Sequence, residues 1–97
     1  MSEAGSFRGG VALITGGSQG LGYAVAQRLV AEGASGLLLA GRDGAKGEAA
    51  AASLRTPQCR AEFLAADLSH ADACERVIAD LDGSFGACHS FVNCAAI

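Results

Sequence analysis

Apolar residues along this chain come in two alternating rhythms. Val11–Ile14 is a short, uniformly apolar run that stops at Thr15-Gly16-Gly17. A run without polar alternation predicts a strand covered on both faces, as in parallel sheets. From Gly20 the period lengthens: Leu21, Val25 and Leu29 fall four apart, with Ala26 and Val30 beside them. That spacing predicts a helix with one apolar stripe, stopped by Gly33. Leu37–Ala40 predicts a second strand, ending at Gly41-Arg42-Asp43. The Ala-rich stretch Gly44–Leu54 predicts a second helix, weakened in its first turn by Gly44 and Gly47 and closed by Pro57. Ala61–Ala66 predicts a third strand that stops at Asp67. Ser69 reads as an N-cap, with Asp72 near the positive end of the helix dipole. Cys74, Val77, Ile78 and Leu81 carry helical spacing towards a stop at Asp82-Gly83, and Phe91-Val92 with Ala95, Ala96 and Ile97 form a fourth apolar run.

The predicted order is β-α-β-α-β-α-β. Such alternation implies an α/β fold: a doubly wound parallel sheet with right-handed crossovers. Residues 1–9 read as an N-terminal arm and residues 10–97 as a single half-domain. The chain ends inside or directly after its fourth strand, so the expected sheet is partial, truncated after that strand. Two helices are expected on one face and the third alone on the other, with the outer edge of the fourth strand open. The isolated chain is therefore expected to be marginally stable or to associate with itself.

Composition narrows the classes. The chain has 97 residues, 51% of them hydrophobic and 18% charged, with 14 glycines and one proline. The single proline and the lack of a Gly-X-Y period exclude collagen and low-complexity disorder. No apolar run approaches the ~20 residues that span a bilayer, and the first ten residues hold no secretory core. A net charge of −3 argues against a nucleic-acid partner. Cys59, Cys74, Cys88 and Cys94 contain no C-x-x-C, and His70 and His89 add no zinc-finger spacing, so no metal site is expected. The cysteines read as small buried apolar residues suited to a reducing cytosol, and a cytoplasmic location is expected.

The segment richest in chemistry is Thr15-Gly16-Gly17-Ser18-Gln19-Gly20-Leu21-Gly22, between the first strand and the first helix. A chain that turns sharply there, approaches a pyrophosphate and packs the next helix onto the sheet needs small residues at fixed offsets. The helix N-terminus supplies unpaired N–H groups and partial positive charge. Gly16, Gly20 and Gly22 hold a T-G-x-x-x-G-x-G pattern, and Ser18 and Gln19 stand at its tip with groups able to donate to phosphate. The strand before it and the helix after it supply the context that a glycine triplet alone lacks.

The end of the second strand selects the cofactor. An acid about 20 residues beyond the glycines binds the ribose 2′-OH of NAD. Here that place holds Gly41 and Arg42, with Asp43 close behind. A guanidinium pairs with a 2′-phosphate that a carboxylate would repel. NADP(H) is therefore expected over NAD(H), with NAD(H) still possible because of Asp43. Lys46 reads as solvent-facing.

With these motifs the chain resembles the N-terminal, cofactor-binding half of a short-chain dehydrogenase/reductase of the non-extended type, from Gly10 to Ile97. Thr15-Gly16-x-x-x-Gly20-x-Gly22 matches that family's cofactor turn, Leu21 included. Asp67-Leu68 matches the acidic pair that binds adenine. Asn93-Cys94-Ala95-Ala96 stands at the family's N-N-A-G motif, keeping Asn93 and Ala95 and differing at Cys94 and Ala96. Extended relatives carry T-G-x-x-G-x-x-G, which would require glycine in place of Gln19. The resemblance implies a Rossmann-type fold and hydride transfer between NADP(H) and a small alcohol or carbonyl compound. It also implies a homo-oligomer in full-length form.

It further implies a Ser that orients the substrate carbonyl or alcohol, a Tyr acting as general acid/base, and a Lys four residues after it that lowers the Tyr pKa and binds the nicotinamide ribose. This chain supplies none of them. Its single tyrosine, Tyr23, has Gln27 four residues on, and its single lysine is Lys46. His70 and His89 belong to no visible constellation. No catalytic residue is expected here. Three readings stay open: the cofactor segment of an enzyme, inactive alone; a truncated dinucleotide-binding product without catalysis; or an unstable fragment with no activity.

Overall fold

The computed structural model describes residues 9–16, 20–67, 71–86 and 90–93. The elements follow in the order β1 (Val11–Thr15), α1 (Gly20–Ala31), β2 (Gly36–Gly41), α2 (Gly44–Leu54), β3 (Arg60–Ala65), α3 (Ala71–Phe85) and β4 (Ser90–Asn93). Every strand pair is parallel, and the sheet runs β3-β2-β1-β4. This is a doubly wound Rossmann-type sheet. The Ser69 cap, and the part of the fourth apolar run beyond Asn93, lie outside the described residues.

Alternation along each strand sorts the core into two layers. Ala12, Ile14, Leu37, Leu39 and Ala61 point to one face, where Ala26 of α1 and Ala50, Ala51 and Leu54 of α2 cover them. Val11, Leu13, Leu38 and Ala40 point to the other, where Val77 and Leu81 of α3 cover them. The uniformly apolar strands are thus explained by helices on both faces. Among the described residues, no helix is long and apolar enough to cross a membrane.

β1 and β2 run further than apolarity indicates, because ladder partners rather than polarity set their ends. Thr15 stays in β1 through pairing with Ala40 and Asn93, and Gly36 joins β2 opposite Val11 and Arg60. β3 correspondingly begins at Arg60 and ends at Ala65, one residue earlier at each end than the apolar run predicts.

Two helix expectations need correction. The buried face of α1 is centred on Gly22 and Ala26, one turn apart, while Leu21 is 72% exposed. Small residues let the helix axis approach the sheet closely, and Leu21 then falls about 100° off that face. Tyr23, Leu29 and Val30 flank the contact. The helix closes as expected at Gly33, which has φ +99°. Gly33 N–H donates to Val30 O at 3.1 Å and Ala34 N–H to Leu29 O at 2.9 Å, the paired bonds of a Schellman motif.

The second correction concerns α3, which does not stop at Asp82-Gly83 but runs to Phe85, with Gly86 at φ +75° after it. A glycine inside a helix costs only about 1 kcal/mol relative to alanine, which packing offsets. The packing is that of Phe85, whose ring lies over Gly36 and 4.7 Å from the Arg60 guanidinium. A Cβ at Gly36 would sit 2.6 Å from that ring, so the glycine at the start of β2 makes room for the end of α3. Gly47 has a similar reason: it lies against the ring of Phe63, and the first turn of α2 gives up helix propensity to admit it.

Candidate functional site at the carboxyl ends of the strands

β1, β2 and β3 progress in one direction across the sheet, and β4 returns to the other side of β1. The carboxyl ends of β1 and β4 therefore flank the point where strand order reverses, the place where open α/β sheets form a ligand crevice. Thr15 lies between Ala40 and Asn93 in register, and Gly41 opposite Ala65, so the chain leaves all four strands along one edge.

The turn after β1 is built for close backbone approach. Gly16 has φ +72° and donates its N–H to Ala40 O at 2.8 Å. Gly20, at φ +61°, opens α1, and among the described residues no atom beyond its own helix backbone lies within 4 Å of the place a Cβ would take. Both values fall where L side chains are strained. Gly22, buried in the first turn, lets α1 press onto the sheet. The first turn of α1 carries no acidic residue, so nothing there offsets the positive end of its dipole. Leu21 lies exposed beside this turn.

At the end of β2, Ala40 is fully buried and Gly41 half-buried, and Arg42 is exposed. Among the described residues Arg42 makes no hydrogen bond or ion pair. Asp43, which the sequence leaves as a rival for the same position, has a different task. It is the N-cap of α2, with φ −92° and ψ 99°, and its carboxylate accepts from Lys46 N–H at 3.1 Å. The signal was present in the sequence: an aspartate directly before a helical stretch is an N-cap pattern.

At the end of β3, Ala66 N–H donates to Gly41 O at 2.7 Å, and half-buried Asp67 follows. The backbone of Asn93 ends β4 opposite Thr15. The structure thus brings Gly16, Gly20, Leu21, Gly22, Arg42, Asp67 and the backbone of Asn93 to one edge. Ser18, Gln19, Leu68 and Ala95 lie outside the described residues, as do His70 and His89. Tyr23 is not at this edge in any chemical sense: it packs between helices, its hydroxyl sharing a 2.6 Å hydrogen bond with Ser53 Oγ of α2.

An open groove of about 540 Å³ lies elsewhere, at the start of β3, lined by residues including Glu48, Arg55, Cys59, Arg60 and Phe63. Burial pushes the Cys59 thiol up from its ordinary pKa, so it is neutral near pH 7 and a poor nucleophile. The groove mixes both charge signs, Arg60 and Glu62 of its lining being ion-paired with each other, and the strand-end edge is the better candidate site.

Fold and edge together define a Rossmann-type α/β protein with a glycine turn at its switch point. Comparison with known proteins specifies the family. Residues 10–97 match the short chain dehydrogenases, and the chain belongs to that family. It is 41% identical over 92 residues to human 3-hydroxyacyl-CoA dehydrogenase type-2, covering 95% of this chain and 34% of that protein. It is 33% identical over 93 residues to a 3beta-hydroxysteroid dehydrogenase of Mediterraneibacter gnavus, covering 96% of this chain and 33% of that one. The crystal structure of L-sorbose reductase from Gluconobacter frateurii, complexed with NADPH and L-sorbose, superposes with a TM-score of 0.90 at 31% identity. It covers 98% of this chain and 36% of the reductase. The chain thus spans about a third of the length of the curated relatives it matches.

Proposed function

We propose that this chain holds a nicotinamide dinucleotide across the carboxyl ends of its strands, taking NADP(H) in preference to NAD(H). It would be the cofactor-binding segment of a cytoplasmic oxidoreductase acting on a small alcohol or carbonyl compound. Gly16, Gly20 and Gly22, with Leu21 between them and Ser18 and Gln19 at the tip, would carry the pyrophosphate on the turn and the N-terminus of α1. Asp67, with Leu68, would hold the adenine, and Asn93 and Ala95 would line the ribose side. The bound cofactor supplies the hydride; the residues of this chain orient it and favour its negative charge.

The observation that carries the preference is the state of the β2 end. Arg42 is exposed and uncommitted among the described residues, and the carboxylate that directly follows it, Asp43, is turned to the α2 N-terminus. A free guanidinium there fits a 2′-phosphate through a bidentate contact. The NADPH in the L-sorbose reductase complex agrees with this reading. Tyr23 and Lys46 are the single tyrosine and lysine of the chain, with no Tyr-x-x-x-Lys among its residues. The 97 residues alone are expected to bind cofactor without turning over substrate.

Titration of NADPH and NADH by fluorescence tests the preference. NADPH is expected to bind more tightly, and Arg42→Ala to weaken it roughly 10- to 100-fold while leaving NADH nearly unchanged. Equal affinities, or tighter NADH, would remove the role given to Arg42.

A further inference from the structure

β3 is an outer strand, and its backbone groups alternate between its partner and the free edge. Arg60 N–H donates to Ser35 O at 2.9 Å and Ala66 N–H to Gly41 O at 2.7 Å. In an evenly spaced parallel ladder, Arg60, Glu62, Leu64 and Ala66 then face β2, and Ala61, Phe63 and Ala65 turn outward. Two of those outward carbonyls are met by arginines from outside the sheet. Arg55, at the end of α2, donates from Nε to Ala61 O at 2.8 Å. Arg76, on α3, donates from Nη2 to Ala65 O at 3.4 Å.

Both run from an arginine to a backbone carbonyl, the Arg55 bond short and part-buried and the Arg76 bond longer and exposed, and they differ in place. Arg55 serves the start of β3, far from the strand carboxyl ends. Arg76 serves its last residue, which pairs with Gly41, the residue before Arg42. Ala65 is held from the free edge by Arg76 while Ala66 is held inward by Gly41 O, and Asp67 leaves the strand directly after them. An edge strand fraying at this point would change the direction of Asp67 relative to Arg42, since strand ends open locally when outward backbone groups lose their partners.

We propose that Arg76 is a positioning residue for the adenosine end of the site. It touches no ligand; by holding the Ala65 carbonyl from outside, it fixes how Asp67 departs from β3 beside Arg42. This inference rests on the cofactor reading given above.

Arg55 supplies the control. Using the purified full chain, the affinities for NADPH and adenosine 2′,5′-bisphosphate would be measured for wild type, Arg76→Ala, Arg76→Lys and Arg55→Ala, with Tm and amide exchange at Asp67. Arg76→Ala is expected to weaken both ligands about three- to tenfold, the range of one hydrogen bond, and to speed exchange at Asp67. Arg76→Lys should recover part of the affinity. Arg55→Ala should lower Tm at least as far yet leave both affinities within about twofold of wild type, because it acts at the opposite end of β3. Wild-type affinity in Arg76→Ala overturns the proposal. So does a loss of binding in Arg55→Ala equal to that in Arg76→Ala, which would reduce both arginines to general stability. Failure of the wild-type chain to bind NADPH overturns the cofactor reading itself, and this inference with it. Binding by wild type with an indifferent Arg76→Ala removes this inference alone.

Discussion

Valine at Gly16 is expected to remove dinucleotide binding. Gly16 sits at φ +72°, a region that a β-branched residue enters only with strain, and its N–H is committed to Ala40 O at 2.8 Å. The strain alone costs about 1–2 kcal/mol. The larger effect falls on the ligand, because side-chain bulk then stands where a pyrophosphate must approach the backbone. Loss of charge-assisted contacts to the turn corresponds to roughly a 100-fold weaker NADPH affinity. Gly20→Ala separates strain from bulk: Gly20 is also left-handed, at φ +61°, but no atom of the described residues beyond its own helix backbone lies within 4 Å of its Cβ position. It should lose stability without a clash and keep more of its affinity than Gly16→Val. An NADPH titration alongside a melting curve reads both. Affinity within threefold of wild type in a folded Gly16→Val chain would place the phosphates away from this turn.

The second large effect lies in the core. Leu39 is fully buried in β2, in register between Ile14 and Phe63. It shares its core layer with Ala12, Ala26, Ala50 and Ala51, whose short side chains cannot reach far into a void. Leu39→Ala is expected to cost about 3 kcal/mol, transfer and cavity terms together. In a domain of this size that lowers Tm by roughly 12–24 °C. Leu21→Ala removes the same side chain from a site that is 72% exposed, and should change stability by no more than about 0.5 kcal/mol. Thermal melts of the two variants provide the contrast. Similar losses for both would return Leu21 to the core, as the helical stripe in the sequence suggested.

That stripe shows where a sequence reading stops. Leu21, Val25 and Leu29 have the right spacing, but spacing fixes only the angle between residues, not which side of the helix meets the sheet. Gly22 and Ala26 decide that, because they allow the closer approach, and small residues carry little weight in a hydrophobic pattern. Where local chemistry suffices, pattern and structure agree. Gly44–Leu54 has its predicted limits, Gly33 closes α1, and one helix covers one face of the sheet while two cover the other. Pattern and structure part where the deciding partner is distant in the chain. Asp82-Gly83 looks like a helix stop until Phe85 is seen packed on Gly36, and Gly47 looks like a weak helical position until the Phe63 ring is found against it. The site follows the same rule. The glycine turn and Arg42 are legible from residue types and offsets, because a turn and a strand end are local features. Asp43 was legible too, as an N-cap, yet its carboxylate could not be assigned to that task until its bond to Lys46 N–H was seen. The arginines on the free edge of β3 leave no mark in the sequence, since both partners are backbone carbonyls.

Mapping where cofactor binds tests the strand-end site most directly. Backbone amide resonances of the full chain would be followed as NADPH is added. Shifts are expected to concentrate at Gly16, Gly20–Gly22, Arg42 and Asp67, along the carboxyl ends of β1, β2 and β3, with the Arg55–Phe63 groove unmoved. Shifts centred on that groove, or none at saturating NADPH, would contradict binding at the strand ends.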